Sequence, residues 1–212
     1  MFKKTGIILE ACVETLSEAK NAVKFGANRI ELCSHLDLDG LTQNKKTIVD
    51  VLERISVPVK VMIRPREGNF IYNENDVKLM ESSIVFCKNN GVSHIVLGVL
   101  NKFNTIDTRL MYRLSEISKP MDITFHKAID HTDDIEKQLE VLCSLGTIKS
   151  VLTAGGKGSL LANRDSAKML LDRFSTRINF ILAGSITKSN LKMVHNEFQA
   201  TEYHGRRIVG DL

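Results

Sequence analysis

Hydrophobic and polar positions alternate between two periods along the whole chain. Short apolar runs with a period of two are followed by longer stretches in which apolar residues recur every three or four positions. The first period is typical of buried strands and the second of helices that bury one face. The predicted strands are residues 7–11, 29–32, 59–63, 94–97, 122–125, 150–152, 179–182 and 202–204. The predicted helices are residues 14–25, 47–55, 76–89, 108–117, 133–143, 162–174 and 188–196.

Glycine marks the return from helix to strand at Gly26, Gly91 and Gly146, each followed closely by an apolar run. Glycine adopts the left-handed backbone that ends a helix, and parallel barrels repeat such short returns. Eight such units favour a closed parallel (β/α)8 barrel, the TIM barrel, with a doubly wound open sheet as the alternative. No G-x-G-x-x-G follows the first strand, so nothing specific supports a dinucleotide-binding sheet.

The whole chain, residues 1–212, is predicted to be one domain, because its length suits one barrel and no Pro/Gly/Ser-rich linker divides it. Only eight residues follow residue 204, so the eighth helix is predicted to be missing or much shortened. We expect this to leave barrel surface uncovered between the first and seventh helices. A second copy could bury that surface, which predicts a homo-oligomer, either a dimer or a tetramer.

Composition limits the classes of partner and the cellular compartment that are expected for this protein. The net charge of +4 is spread along a chain with no Trp and three Tyr, so a nucleic-acid partner is not expected. No apolar run approaches the roughly 18 residues of a membrane helix, and the first apolar run is too short for a secretion signal. Four cysteines without a C-x-x-C motif suit a reducing compartment. We therefore predict a cytoplasmic protein.

Polar residues end nearly every predicted strand, and the carboxyl ends of barrel strands meet at one mouth. Alternation along the first strand places Glu10 and Cys12 inside the barrel, and the second strand repeats the arrangement with Glu31 and Cys33. The other strand ends contribute Arg64, Arg66, His126, Asp130, Thr153, Gly155, Gly184, Ser185 and His204.

Two interpretations of these charged residues stay open. In the first, Glu10 and Glu31 neutralise Arg64 and His126 in a structural network. In the second, the mouth is a catalytic pocket for a small anionic or phosphorylated metabolite. There Glu10, Glu31 and His126 would act as acid and base, Arg64 would clamp the anion, and Asp130 is a further catalytic candidate, since burial and crowding separate pKa values.

The glycine-rich ends of strands six and seven are candidates for binding an anion. Thr153, Gly155, Gly184 and Ser185 lie where barrels often hold phosphate on backbone N–H groups. Arg66 and His204 complete this candidate set. The alternative is that these glycines only form tight turns.

The cysteines fall into two pairs. Cys12 and Cys33 occupy equivalent positions on neighbouring strands, about 5 Å apart, where soft thiolates could hold Cu(I). The alternative is that two small residues fill the barrel mouth. Cys87 and Cys143 lie in predicted helices, where packing is the simpler explanation.

Five segments together resemble a known family. In chain order, LEACVE (9–14), RIELC (29–33), VMIRPR (61–66), TFHKAID (124–130) and YHG (203–205) resemble the signature segments of the CutC copper-homeostasis family. The resemblance implies a cytoplasmic, copper-binding TIM barrel that is usually oligomeric, and it implies no particular reaction. The family's strand-end residues correspond here to Glu10, Cys12, Glu31, Cys33, Arg64, Arg66, His126 and Asp130. Lys127, Ala154 and the pair Arg206–Arg207 depart from the family's usual residues.

The leading hypothesis is a copper-homeostasis protein that binds Cu(I) through Cys12 and Cys33. The alternative is a TIM-barrel enzyme that uses acid–base chemistry on a small anionic metabolite. A non-catalytic scaffold, which rests on the missing eighth helix alone, is a third possibility.

Overall fold

A computed structural model describes residues 6–212. Within that range it contains eight strands and seven α-helices in alternation, together with two short 3-10 helices, Leu36–Leu38 and Lys127–His131. The strands are β1 (Ile8–Val13), β2 (Arg29–Leu32), β3 (Val59–Met62), β4 (His94–Leu97), β5 (Asp122–Phe125), β6 (Ser150–Thr153), β7 (Asn179–Leu182) and β8 (Glu202–Gly205). The helices are α1 (Leu16–Phe25), α2 (Lys45–Arg54), α3 (Glu74–Asn89), α4 (Thr108–Ser118), α5 (Ile135–Leu145), α6 (Arg164–Phe174) and α7 (Leu191–Phe198). Within residues 6–212, no helix is long and apolar enough to cross a membrane.

The strands form a closed parallel barrel in chain order, with β1 paired to both β2 and β8. The register places Glu10 beside Arg29 on one side and beside His204 on the other. This confirms the predicted TIM barrel, and the alternative of an open doubly wound sheet is wrong.

Local sequence signals explain where the helices begin and end. Thr15 and Glu18 form a reciprocal capping box at the start of α1, and Gly26 ends the helix with a φ of 109°. Asn73 caps α3, so that helix begins at Glu74, two residues before the predicted start. The cap residue therefore marks the true helix boundary.

The apolar core fills the shell between strands and helices, where Ile30, Val61 and Ile95 are fully buried. No helix follows β8 in the described chain up to Leu212, as predicted. The flank between α1 and α7 is nevertheless closed. The outward-facing Leu9 and Tyr203 are buried in the same core as Ile208 and Val209. The expectation of uncovered barrel surface is therefore wrong at Leu9 and Tyr203, which are 8% and 0% exposed.

Candidate functional site

A network of charges fills the inside of the barrel around Glu10. This fully buried carboxylate pairs with Arg29, with Lys60 Nζ at 3.1 Å and with His204 Nδ1 at 2.9 Å. Burial alone would raise the pKa of Glu10, but Lys60, His204 and Arg29 together hold it well below the usual range. Glu10 is therefore ionised and balanced by three cations, and neither Arg64 nor His126 is among its partners.

Sequence reasoning missed two members of this network, Lys60 and Arg29. The Lys60 ammonium donates to Thr124 Oγ1 at 2.9 Å, and Thr124 shares a hydrogen bond with Ser150. Arg29 pairs with Glu202 as well as with Glu10. The signal for Lys60 was available, because strand alternation puts it on the same inner face as Met62 and Arg64.

The thiols of Cys12 and Cys33 lie side by side at the mouth, with 3.5 Å between the two sulfur atoms. One oxygen of Glu31, Oε2, lies 3.2 Å from the Cys12 sulfur and 3.5 Å from the Cys33 sulfur. Both cysteines are buried and pack with Met62. The structure thus gathers two thiols, a thioether-bearing side chain and a carboxylate in one small cluster.

Both thiols hold their protons at neutral pH. The hydrogen bond with Cys33 and burial raise the pKa of Cys12 well above its usual value. For Cys33, the hydrogen bond with Cys12 acts to lower the pKa, but burial and the negative charge of Glu31 raise it to about 12. A metal ion bound here must therefore displace protons from the thiols.

His204 lies between the two buried carboxylates. Its Nδ1 is 2.9 Å from Glu10, and its Nε2 is 3.6 Å from Glu31. Burial alone would lower the pKa of His204, but the charge of Glu31 and hydrogen bonds with Cys12 and Glu10 raise it well above 6.5. The ring is therefore an imidazolium beside the thiol pair at neutral pH.

A cavity of about 420 Å³ opens above these residues at the C-terminal ends of the strands. Cys12, Glu31 and His204 line it, and so do Arg64 and His126. Gly184 and Ser185 also line it, as do the basic residues Lys127, His131, Arg206 and Arg207. The cavity thus joins the thiol cluster to a set of cationic and hydrogen-bonding groups.

Arg64 is held in place by main-chain carbonyls rather than by a carboxylate. Its guanidinium donates to the carbonyl oxygens of Leu38, Gly40 and Gly68. The Phe70 ring packs 5.0 Å from the guanidinium, so the loop after β3 docks an aromatic ring on the rim. The Nε atom of Arg64 is buried and lacks a hydrogen-bond partner among residues 6–212, although the Tyr72 hydroxyl lies near this guanidinium.

The His126 ring is fixed as a neutral hydrogen-bond donor. The backbone N–H of Ala128 donates to its Nδ1 at 3.2 Å, so Nε2 carries the remaining proton. Burial, and then the charge of Arg64, lower the pKa of His126 to about 3. A Cβ at residue 98 would lie 2.5 Å from this ring, so Gly98 makes room for it. Its Nε2 is buried without a partner among the residues described.

Six predicted site residues lie outside the cavity lining: Glu10 and Cys33, described above, and Arg66, Asp130, Thr153 and Gly155. Arg66 binds Asp76 at 2.9 Å and the carbonyl of Ile71 at 2.6 Å, and so it braces its own loop. The Asp130 carboxylate accepts hydrogen bonds from the hydroxyl of Thr153 and the N–H groups of Ala154 and Gly156. The Gly155 N–H donates to Thr153. The N–H groups of Ala154, Gly155 and Gly156 are therefore already used within the chain.

A closed parallel α/β barrel with a buried thiol pair beside a carboxylate at its mouth defines a TIM-barrel protein with a candidate site for a soft metal ion. The sequence also matches the model of the CutC family over residues 7–209. The chain therefore belongs to the CutC family, which confirms the resemblance found in the sequence.

Relatives match over most of the chain. The human protein named copper homeostasis protein cutC homolog is 37% identical over 199 residues, which is 94% of this chain and 72% of that protein. A CutC family protein from Enterococcus faecalis is 34% identical over 210 residues and is covered completely.

Solved structures agree on the architecture. The crystal structure of a CutC copper homeostasis protein from Streptococcus agalactiae matches with a TM-score of 0.89 at 30% identity, over 95% of this chain and 99% of that one. Phosphoribosyl anthranilate isomerase from Thermococcus kodakaraensis matches with a TM-score of 0.59 at 14% identity, over 93% and 87% of the two chains. The second match shows the shared fold alone.

Proposed function

We propose that this protein serves copper homeostasis by binding Cu(I) through the thiolates of Cys12 and Cys33. The observation that carries the proposal is the 3.5 Å separation of the two sulfur atoms at the barrel mouth. Soft sulfur ligands select Cu(I) over the harder divalent ions. Relatives named for copper homeostasis support the same reading.

The residues around the thiols fit this cargo. Met62 belongs to the same small buried cluster as both cysteines, so the surroundings of the thiols include a thioether-bearing side chain. Exchanging two thiol protons for one Cu(I) leaves the cluster one charge more negative, and the imidazolium of His204 lies beside it to offset that change.

An anaerobic Cu(I) titration against a competing chelator tests the proposal. Wild-type protein should bind one equivalent, and the double variant Cys12→Ser/Cys33→Ser should lose that binding. Cys143→Ser is the matched control, since this half-buried thiol lies in α5, away from the mouth. Equal affinity in the double variant and the wild type would rule out this site.

A cytoplasmic location and a homo-oligomer, dimer or tetramer, belong to the same proposal. The reduced cysteines support the first, and the family resemblance supports the second. Light scattering on the purified protein measures the assembly, and a monomer at working concentration would contradict it.

The alternative of an acid–base enzyme is not favoured. General acid–base catalysis works best when the pKa of the group lies near the working pH. The pKa of Glu10 lies far below neutral pH, and the pKa of His126 is lowered to about 3. Neither group is suited to exchange a proton at neutral pH.

A further inference from the structure

Three buried polar atoms with no hydrogen-bond partner among residues 6–212 belong to side chains that line the same cavity. They are Glu31 Oε1, Arg64 Nε and His126 Nε2. These side chains are 2%, 4% and 3% exposed, so each is largely desolvated in the folded protein. Buried polar groups in native proteins are almost always hydrogen-bonded, and leaving one unpaired costs about 1–3 kcal/mol. Three such atoms around one cavity indicate a ligand that supplies their partners.

The chemistry of these atoms defines what the ligand must offer. Arg64 Nε and His126 Nε2 are both donors, and both side chains pack against the Phe70 ring, at 5.0 Å each. Two donors on one wall, one of them cationic, match the acceptor oxygens of a carboxylate or phosphate. Glu31 Oε1 is an acceptor, and it requires a donor from the same ligand.

The charge around the opening favours an anion. Lys127, Arg206 and Arg207 line the cavity, and among residues 6–212 the acidic lining residues are Asp39 and Glu31. A cleft lined mainly by one sign of charge raises the local concentration of the opposite sign. The cavity volume of about 420 Å³ falls within the range of about 300–1,000 Å³ found for small-molecule sites.

We propose that this cavity binds a small hydroxylated or aminated organic anion. Its carboxylate or phosphate accepts hydrogen bonds from Arg64 and His126, and its hydroxyl or amino group donates to Glu31. The proposal goes beyond copper binding, because the two donors that hold the anion are not part of the thiol cluster.

Calorimetric titration of the metal-free protein tests the site with four probes: malate, succinate, glycerol 3-phosphate and glycerol. Malate or glycerol 3-phosphate should bind saturably, and the preferred one identifies the anion as a carboxylate or a phosphate. Succinate lacks the hydroxyl of malate and should bind more weakly than malate if malate is the preferred probe. Glycerol lacks the anion and should not bind.

His126→Asn removes the Nε2 donor while leaving a side-chain oxygen that can accept from the Ala128 N–H. It should weaken binding of the preferred probe by about tenfold, the effect of losing one hydrogen bond to a charged group. His94→Asn is the matched control, because His94 starts β4 at the opposite end of the barrel, and it should bind as the wild type does. No saturable binding of either anion, or equal loss in both variants, would overturn the proposal.

A second comparison separates this site from the copper site. The variant Cys12→Ser/Cys33→Ser should retain anion binding within about threefold, since its changes leave both donors in place. Anion binding in this variant without Cu(I) binding supports two distinct sites. Loss of anion binding in this variant, with a normal melting temperature, would contradict the proposed placement of the anion.

Discussion

Lys60 shows how a single side chain determines the electrostatics of the barrel interior. Its ammonium is 2% exposed and reaches both Glu10 at 3.1 Å and Thr124 at 2.9 Å. A buried cation of this kind is tolerated only where a partner charge and hydrogen bonds replace its water. Lys60 therefore stabilises the ionised Glu10 from below, while His204 contacts it from the mouth.

Replacing Lys60 with Met should destabilise the fold by about 3 kcal/mol, the lower end of the cost of breaking a buried ion pair. We expect the lower value because Arg29 and His204 still pair with Glu10 in this variant. Urea unfolding followed by circular dichroism measures it. Lys46→Met is the control, since Lys46 is exposed and its ion pair with Asp50 lies at the surface, where such pairs contribute little to stability. Equal effects of the two changes would mean that the interior charge balance does not depend on Lys60.

At the level of residues, strand alternation was enough to place Glu10, Cys12, Glu31 and Cys33 in the interior. It was not enough to pair them, because pairing depends on which strands become neighbours when the sheet closes. Closure puts β8 beside β1, so His204 meets Glu10 across 194 positions of sequence. Arg29 and Glu202 begin their strands and resemble ordinary polar boundaries until the barrel brings them together.

Among the elements, the segment after β5 and the loop after β6 act as one unit. Asp130 lies in the short 3-10 helix Lys127–His131, and its carboxylate accepts hydrogen bonds from the N–H groups of Ala154 and Gly156. A Cβ at Gly155 would lie 2.7 Å from the Cβ of Ala167 in α6, so glycine is needed there for close packing. In the sequence, this loop looked equally suited to an anion or to a tight turn. Only the position of Asp130 shows that its N–H groups are already bonded.

Asp130→Asn should lower the free energy of unfolding by about 1–3 kcal/mol, because the new amide group cannot accept all of the loop's hydrogen bonds. Thermal unfolding of the metal-free protein measures the change. Asp172→Asn in α6 is the matched control: this exposed carboxyl should change stability by less than about 0.5 kcal/mol. If both variants have the same melting temperature as the wild type, the carboxylate of Asp130 does not stabilise this loop.

For the whole molecule, the repeated βα pattern predicted the barrel, but it did not predict that the segment after β8 is buried in the core. Ile208 and Val209 are two isolated apolar residues, and so they give no periodic signal. Both are nevertheless buried in the main core, and the Lys188 N–H donates to the carbonyl of Arg207 at 2.9 Å. In the part of the chain described, this short segment therefore joins the core that the seven α-helices form with the strands.

The neutral His126 at the mouth makes the stability of the whole molecule depend on pH. Its pKa is about 3 in the folded state and 6.5 in the unfolded chain. Between these values the unfolded chain binds a proton that the folded protein does not, so stability falls as the pH is lowered. The proton linkage of this one residue lowers the free energy of unfolding by up to about 1.4 kcal/mol for each unit by which the pH falls within that window.

His126→Asn removes this proton linkage and should flatten the loss of stability between pH 6.5 and about pH 3. Denaturant unfolding at several pH values measures the slope for each protein. His35→Asn is the control: this exposed residue has a φ of 49°, a conformation that Asn tolerates, so it should retain the wild-type slope. Identical slopes in wild type and His126→Asn would show that His126 is not held neutral by its surroundings, and that Nε2 is not the fixed donor on which anion binding depends.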